Sequence, residues 1–514
     1  MTLSLDNPFA QRSTLPYELP DFARIRDEHY MPAFVAGCSE QLAEVQAIID
    51  TDDAPTFENT VVALERSGQL LGRVLNVFYN KASSDTNDTI DPIEAELAPM
   101  LAAHGDAIHL NQALFARIDD VWTQRASLAL DAEQARLLER MHRDFIQSGA
   151  HLDAEKRARL TELNEELSSL ETEFGHKLLA DTNDLAVLVQ DIADLDGLSD
   201  DEIASAKAAA EARDIPDAWL ITAVNFSGHP LLGSLKNRDL RKRLMEASLT
   251  KGDRNNEHDT KATLLRMVEL RAERAQLFGR STHAEHVISQ QTAGTPANVD
   301  VMMRRIAPAA ASNARAEADA LQHAATAAGD AIDIASWDWE FYADQVRVEK
   351  YAVDHAAMRP YFELERVLQD GVFYAANRLY GLSFHERADL IAYHEEARVF
   401  EVFRDDEPIG LYIGDFYTRD SKRGGAWMNS LVDQNRLFGQ MPVVVNNLNA
   451  PKPPAGSPTL LTFDMTETLF HEFGHALHGL LSDVTYPSLS GTSVERDFVE
   501  FPSQVNEMWM LWPE

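Results

Sequence analysis

The sequence predicts a mainly α-helical protein with one small β-sheet shortly before its last helices. Three observations carry that expectation. Between residue 22 and about residue 381, apolar side chains recur three and four apart among abundant Ala and Leu, the period of helices with one buried face. Between Arg398 and Tyr417 the pattern becomes an alternation rich in aromatic and β-branched residues, as strands require. At 514 residues the chain far exceeds one core, and two or three lobes follow from about 150 residues per domain.

Taken in order, residues 1–21 carry Asp6, Arg12 and Glu18 among prolines and contain no apolar stretch of signal-peptide length. The clearest helix spans residues 154–179, where Leu160, Leu163, Leu167, Leu170 and Phe174 form one stripe. Breaks are expected at Asp52-Asp53-Ala54-Pro55, at 194–200, at Gly228-His229-Pro230 and at Gly294-Thr295-Pro296. No fixed period marks a regular solenoid, the natural alternative for a long helical array. Residues 398–403 and 409–417 read as a hairpin closed by Asp405-Asp406-Glu407-Pro408, and Val443-Val444-Val445 as a further short strand. Two loops follow the hairpin, 421–427 with two glycines and 449–458 with four prolines. Such loops usually only connect elements, but both lead toward the motif described below and so can border a substrate cleft. The expected division is 1–150 and 151–380 as helical regions, and 381–514 as a catalytic region.

Composition narrows the function. Hydrophobic residues at 45% and charged residues at 25% are ordinary for a globular chain and argue against global disorder. With 83 acidic against 46 basic side chains, the net charge of −37 repels a phosphate backbone, so nucleic acid is excluded as a partner. The acidity fits solubility first, with cationic peptides or a salty habitat as alternatives. Cys38 is the single cysteine; no intramolecular disulfide can form, which fits a reducing cytoplasm, and no neighbouring histidine activates it. No uncharged apolar run approaches the roughly 20 residues that cross a bilayer. A cytoplasmic monomer with no membrane partner is the expectation.

The chemistry lies in His471-Glu472-Phe473-Gly474-His475. A helical residue turns about 100°, so His471 and His475 are about 40° apart on neighbouring turns and can reach one ion. Glu472 stands about 100° aside, where a carboxylate can hold and deprotonate a water. Leu469, Phe473, Leu477 and Leu480 supply a buried back face, and Gly474 leaves room for a neighbouring strand at a cost of about 1 kcal/mol. A hydrolytic zinc takes three protein ligands and leaves a fourth position for water. Glu500 is the expected third ligand, set between Val499 and Phe501 in an apolar environment. Its helix is expected to begin at Thr492, which has capping-box spacing with Glu495, and to bend at Pro502. His478, one turn past His475, reads as a neighbouring or packing residue rather than a ligand. Asp497 and Glu467 are candidates to accept a proton from an imidazole, with surface solvation an equal reading for each.

His471 to His478, Ser490-Gly491-Thr492 and Arg496 to Gln504 together resemble the thimet oligopeptidase family of zinc metallopeptidases, within it the bacterial peptidyl-dipeptidase branch with oligopeptidase A as a near relative. Upstream, Asp27 to Ala33, Phe57 to Thr60, Leu64 to Gly68, Lys422 to Met428 and Lys452 to Gly456 share the likeness. The resemblance implies a two-lobed helical clamshell around a channel that admits short unstructured peptides, and a zincin-type pair of active-site helices. It implies one Zn²⁺ per chain on His471, His475 and Glu500, Glu472 as general base, and release of carboxyl-terminal dipeptides, with internal cleavage as the alternative. The family continues beyond its third ligand into a segment whose Tyr and His side chains stabilise the oxyanion. The stop at Glu514, just after an apolar stretch, is therefore expected to mark a fragment, one that binds zinc and peptide with reduced turnover.

Overall fold

The computed structural model describes residues 3–223, 230–353, 355–453 and 456–512. Helices carry the chain to Tyr380, and a mixed sheet then separates them from the last two helices. Helices Tyr30–Ile49, Gln69–Ser84 and Ile90–His109 pack around Phe34, Val74, Phe78, Ile90 and Leu97. The helix expected at 154–179 runs Ala154–Asp184; Asp153 caps its first turn, and Leu160, Leu163 and Leu167 are buried. The break at 52–55 is irregular chain, and Thr295 caps the helix Pro296–Ala327, so the break before Pro296 also stands. At 194–200 a short turn, Ile192–Leu195, gives way to the helix Asp200–Glu211 under a Ser199–Glu202 capping box. Gly228 and His229 of the remaining break, and Pro454 and Ala455 of the proline-bearing loop, lie outside the described residues.

The strands are more numerous than periodicity revealed. β1 (Val187–Val189) and β2 (Trp219–Ile221) form an antiparallel ribbon inside the helical region. β3 (Leu382–Glu386), β4 (Arg398–Arg404), β5 (Glu407–Tyr417), β6 (Trp427–Val432) and β7 (Val443–Ala450) form a sheet of order β3-β4-β5-β7-β6, with only β5 and β7 parallel. The expected hairpin is β4–β5, turned by Asp405 and Asp406 at φ 51° and 65°, the geometry a tight two-residue turn demands. Pro408 precedes Leu411, where pairing with β7 begins, so its missing N–H breaks no ladder bond there. The strand expected at 443–445 extends to Ala450 and is buried throughout. A strand buried on both faces shows no alternation, which is why its length was illegible.

Sheet faces alternate with period two. Leu411, Ile413, Val443 and Val445 join the core of the N-terminal helices. Tyr412 and Val444 point the other way, into a second core with Leu469, Phe473, Ala476 and Leu480 of the helix Phe463–Leu480. The motif helix is thus backed by a sheet that is itself backed by helices. Among the described residues, no helix is long and apolar enough to cross a membrane.

Candidate metal centre

The motif helix, Phe463–Leu480, begins where Thr462 accepts the backbone N–H of Met465 at 3.1 Å. Leu469, Phe473, Leu477 and Leu480 are all buried, as the sequence required. Two buried asparagines fix its middle. Asn446 of β7 donates to the Glu472 carbonyl at 2.8 Å, and Asn506 donates to the Phe470 carbonyl at 2.6 Å. Such bonds hold a helix in rotation and height because a buried side-chain amide left without an acceptor costs about 1–3 kcal/mol.

Glu500 opens the helix Glu500–Glu507, which crosses the motif helix at Gly474. A Cβ there would lie 2.7 Å from Ser503 Cα and 2.9 Å from Asn506 Cβ. The missing side chain therefore admits a helix, where the sequence led us to expect a strand. Two further expectations fail nearby. No helix starts at Thr492: Glu495 pairs with Arg136 and Arg143, and Asp497 accepts the N–H groups of Thr292 and Ala293. These side chains anchor the turn to other elements instead of capping it. Pro502 bends nothing, because it occupies the first turn, where its missing donor would have had no partner.

The convergence itself is clear. Glu500 Oε2 lies 3.0 Å from His471 Nε2 and 3.1 Å from His475 Nε2, with the two rings nearly perpendicular at 84°. Tetrahedral zinc with legs of about 2.0–2.1 Å spaces its ligand atoms by about 3.3 Å, so the three side chains fit the ion with little movement. Glu500 is half exposed and not enclosed by its apolar neighbours, since Phe501 faces solvent. Burial would raise its pKa, but the Ser503 hydroxyl, donating at 2.9 Å, and the two imidazoles hold it below the ordinary range. Burial lowers the pKa of His475, favouring the neutral ring that a metal ligand requires.

Glu472 is 5% exposed. Burial, opposed by His471 and reinforced by Glu500, pushes its carboxyl up to about 7. Its Oε2 is buried without a hydrogen-bond partner, as are His475 Nδ1, Tyr412 Oη and Asn446 Oδ1. Glu472 Oε2 can therefore accept a hydrogen bond from a ligand or an ordered water.

The residue that sequence reasoning missed is Glu507. Its Oε1 lies 2.6 Å from His471 Nδ1, the carboxylate–histidine pairing that sets a ligand's tautomer. Glu507 is seven residues past Glu500, hence about 20° from it around the same helix, a spacing legible in the sequence. Asp497 is occupied elsewhere, as described, and His478 does not join the convergent group. Asp91, Glu94 and His176 also converge, but Arg423 already supplies the cation, donating to both Glu94 oxygens at 2.9 and 3.2 Å.

The model of Peptidase family M3 matches residues 231–514. Dipeptidyl carboxypeptidase of Escherichia coli (strain K12) is 44% identical over 510 residues, 99% of this chain and 75% of the relative. The Salmonella typhimurium protein of the same name is 44% identical over 509 residues, again 99% and 75%. Oligopeptidase A of Escherichia coli (strain K12) is 30% identical over 508 residues, 97% and 74%. With a family model over more than half its length and such relatives over nearly all of it, the chain belongs to Peptidase family M3 and is a metallopeptidase.

Proposed function

We propose that the chain hydrolyses short unstructured peptides as a monomer, with one Zn²⁺ held by His471, His475 and Glu500, and that it releases dipeptides from the carboxyl end. The observation that carries this reading is the meeting of three ligand atoms from two helices beside one buried carboxyl group. The catalytic region is 381–514, because the sheet and both helices that build the centre lie within it.

Zinc, when bound, supplies Lewis acidity that eases loss of a proton from water and polarises the scissile carbonyl. The remaining work falls to the chain. Glu472, buried beside the three convergent side chains, accepts the water proton and returns it to the departing amine. Glu507 keeps His471 in the tautomer that presents Nε2 to the ion. Asn446 and Asn506 hold the motif helix so that Glu472 and the two histidines keep their relative positions.

The likeness to dipeptidyl carboxypeptidases at 44% identity favours dipeptide release. The 30% likeness to oligopeptidase A keeps internal cleavage as the second reading. Mass spectrometry of products from one peptide, with its carboxyl terminus free or amidated, separates them. Dipeptide release that a chelator abolishes and amidation suppresses supports the first. Equal cleavage of both peptides at internal bonds establishes the second. Bound zinc without chelator-sensitive cleavage overturns both.

A further inference from the structure

The three convergent side chains come from two helices, Phe463–Leu480 and Glu500–Glu507, joined by residues 481–499, whose regular structure is the short turn Pro487–Leu489. Glu500 is the first residue of its helix. The first N–H groups of a helix have no intrahelical partner, so its place depends on the chain leading into it. A ligand set must be held to within about 0.5 Å of its productive geometry. An irregular connection of this length does not hold itself so closely, and remote side chains do it instead.

The Glu495 carbonyl accepts the N–H groups of Phe498 and Val499 at 2.9 and 3.1 Å, so the backbone directly before Glu500 hangs from Glu495. The Glu495 carboxylate is in turn paired with Arg136. Asp497 accepts the N–H groups of Thr292 and Ala293 at 2.9 and 2.8 Å, one on each oxygen, and its own N–H donates to Gln291 Oε1 at 3.3 Å. Two bonds to one carboxylate fix direction as well as distance. Further back, Arg140 donates to the carbonyls of Ser488 and Ser493 at 2.9 and 2.6 Å. Arg136 and Arg140 are four apart on the helix Ala132–Ser148, hence on one face. The connection is thus pinned between that helix and the segment 291–293, which leads into the helix Pro296–Ala327.

We propose that Asp497 is a positioning residue for the metal centre: by clasping 291–293 it holds the turn 495–499, and with it Glu500, against His471 and His475, without itself joining the three ligands. The proposal rests on Glu500 as the third ligand. Asp497 is exposed, so its removal takes little from the core, yet it stands three residues before that ligand. Metal binding should therefore suffer more than stability.

Zinc affinity, read by competition with a chelating dye, is expected to fall about tenfold in Asp497→Ala, and the visible absorption of the cobalt(II)-substituted chain to change. The urea midpoint should fall no further than in Arg254→Gln, which loses its pairings with Asp181 and Asp184 outside the connection and should keep the parent's affinity and spectrum. Asp497→Asn, which keeps one acceptor oxygen, should fall between. Arg136→Gln frees Glu495 from a partly exposed position and should lower affinity in the same direction, which keeps the test valid should Asp497→Ala fold poorly. Glu500→Ala separates the two levels. If it leaves affinity and spectrum unchanged, Glu500 is no ligand, and the metal reading and the proposal fail together. If it lowers affinity while Asp497→Ala and Arg136→Gln match the parent, or if Arg254→Gln lowers affinity as much as they do, the positioning proposal alone is overturned.

Discussion

Glu507 bears on the candidate metal centre without joining its three convergent side chains. Its carboxylate takes the Nδ1 side of His471, leaving Nε2 for the cation and fixing the ring against rotation. Glu507→Gln is expected to weaken zinc affinity by about 10- to 100-fold, read by competition with a chelating dye, with the midpoint of urea unfolding almost unmoved. Unchanged zinc affinity would reduce the contact to surface decoration. Glu500 illustrates a second point about single residues. Its apolar sequence neighbours suggested burial, yet the chain turns Phe501 outward and leaves the carboxylate half exposed. Neighbours in sequence lie about 100° apart on a helix, so their polarity does not report the environment of the residue between them.

At the scale of elements, the centre is a helix crossing. The helix Glu500–Glu507 approaches Phe463–Leu480 closely because Gly474 presents no Cβ to Ser503 and Asn506. Gly474→Ala should gain about 1 kcal/mol in helix propensity and lose about 1–3 kcal/mol to overpacking, for a net loss. It should also push Glu500 away from the histidines. Zinc retention falling more steeply than thermal stability is the expected signature; a variant both more stable and fully zinc-loaded would show that the helices can re-space freely. The turn before Glu500 was misread for a related reason. Thr492 and Glu495 have capping spacing, but Glu495 meets Arg136 and Arg143 from a helix more than 350 residues earlier, and a charged partner outcompetes a local cap.

Across the whole molecule, distant segments are joined by ion networks whose strength depends on pH. Glu94 and His176 lie 82 residues apart, and Arg423 joins them from the loop before β6. The hydrogen bond to Glu94 raises the His176 pKa above its ordinary 6.5, so its stabilisation is full below 6.5 and lost as pH rises through the higher folded value. Burial opposes ionisation of Glu94, but His176 and Arg423 hold its pKa below 4.5, so its contribution is present above 4.5 and lost on acidification. Chemical denaturation of His176→Gln against the parent chain should therefore show the largest loss between pH 4.5 and 6.5 and a shrinking one above it. A difference constant from pH 5 to pH 9 would remove this pair from the account. The sequence by itself determined the helical class, the β4–β5 hairpin and the motif helix with its buried face, and it named His471, His475 and Glu500 as candidate ligands that the structure brings together, because helical and strand periods and short motifs are written in neighbouring residues. Only the tertiary structure decided the lengths and partners of β3, β6 and β7, the late start of the Glu500 helix, the role of Gly474 and the pairing of Glu507 with His471. Each of these depends on which remote side chain arrives at a given place, and the energy of a buried contact or ion pair is set by that arrival rather than by local spacing.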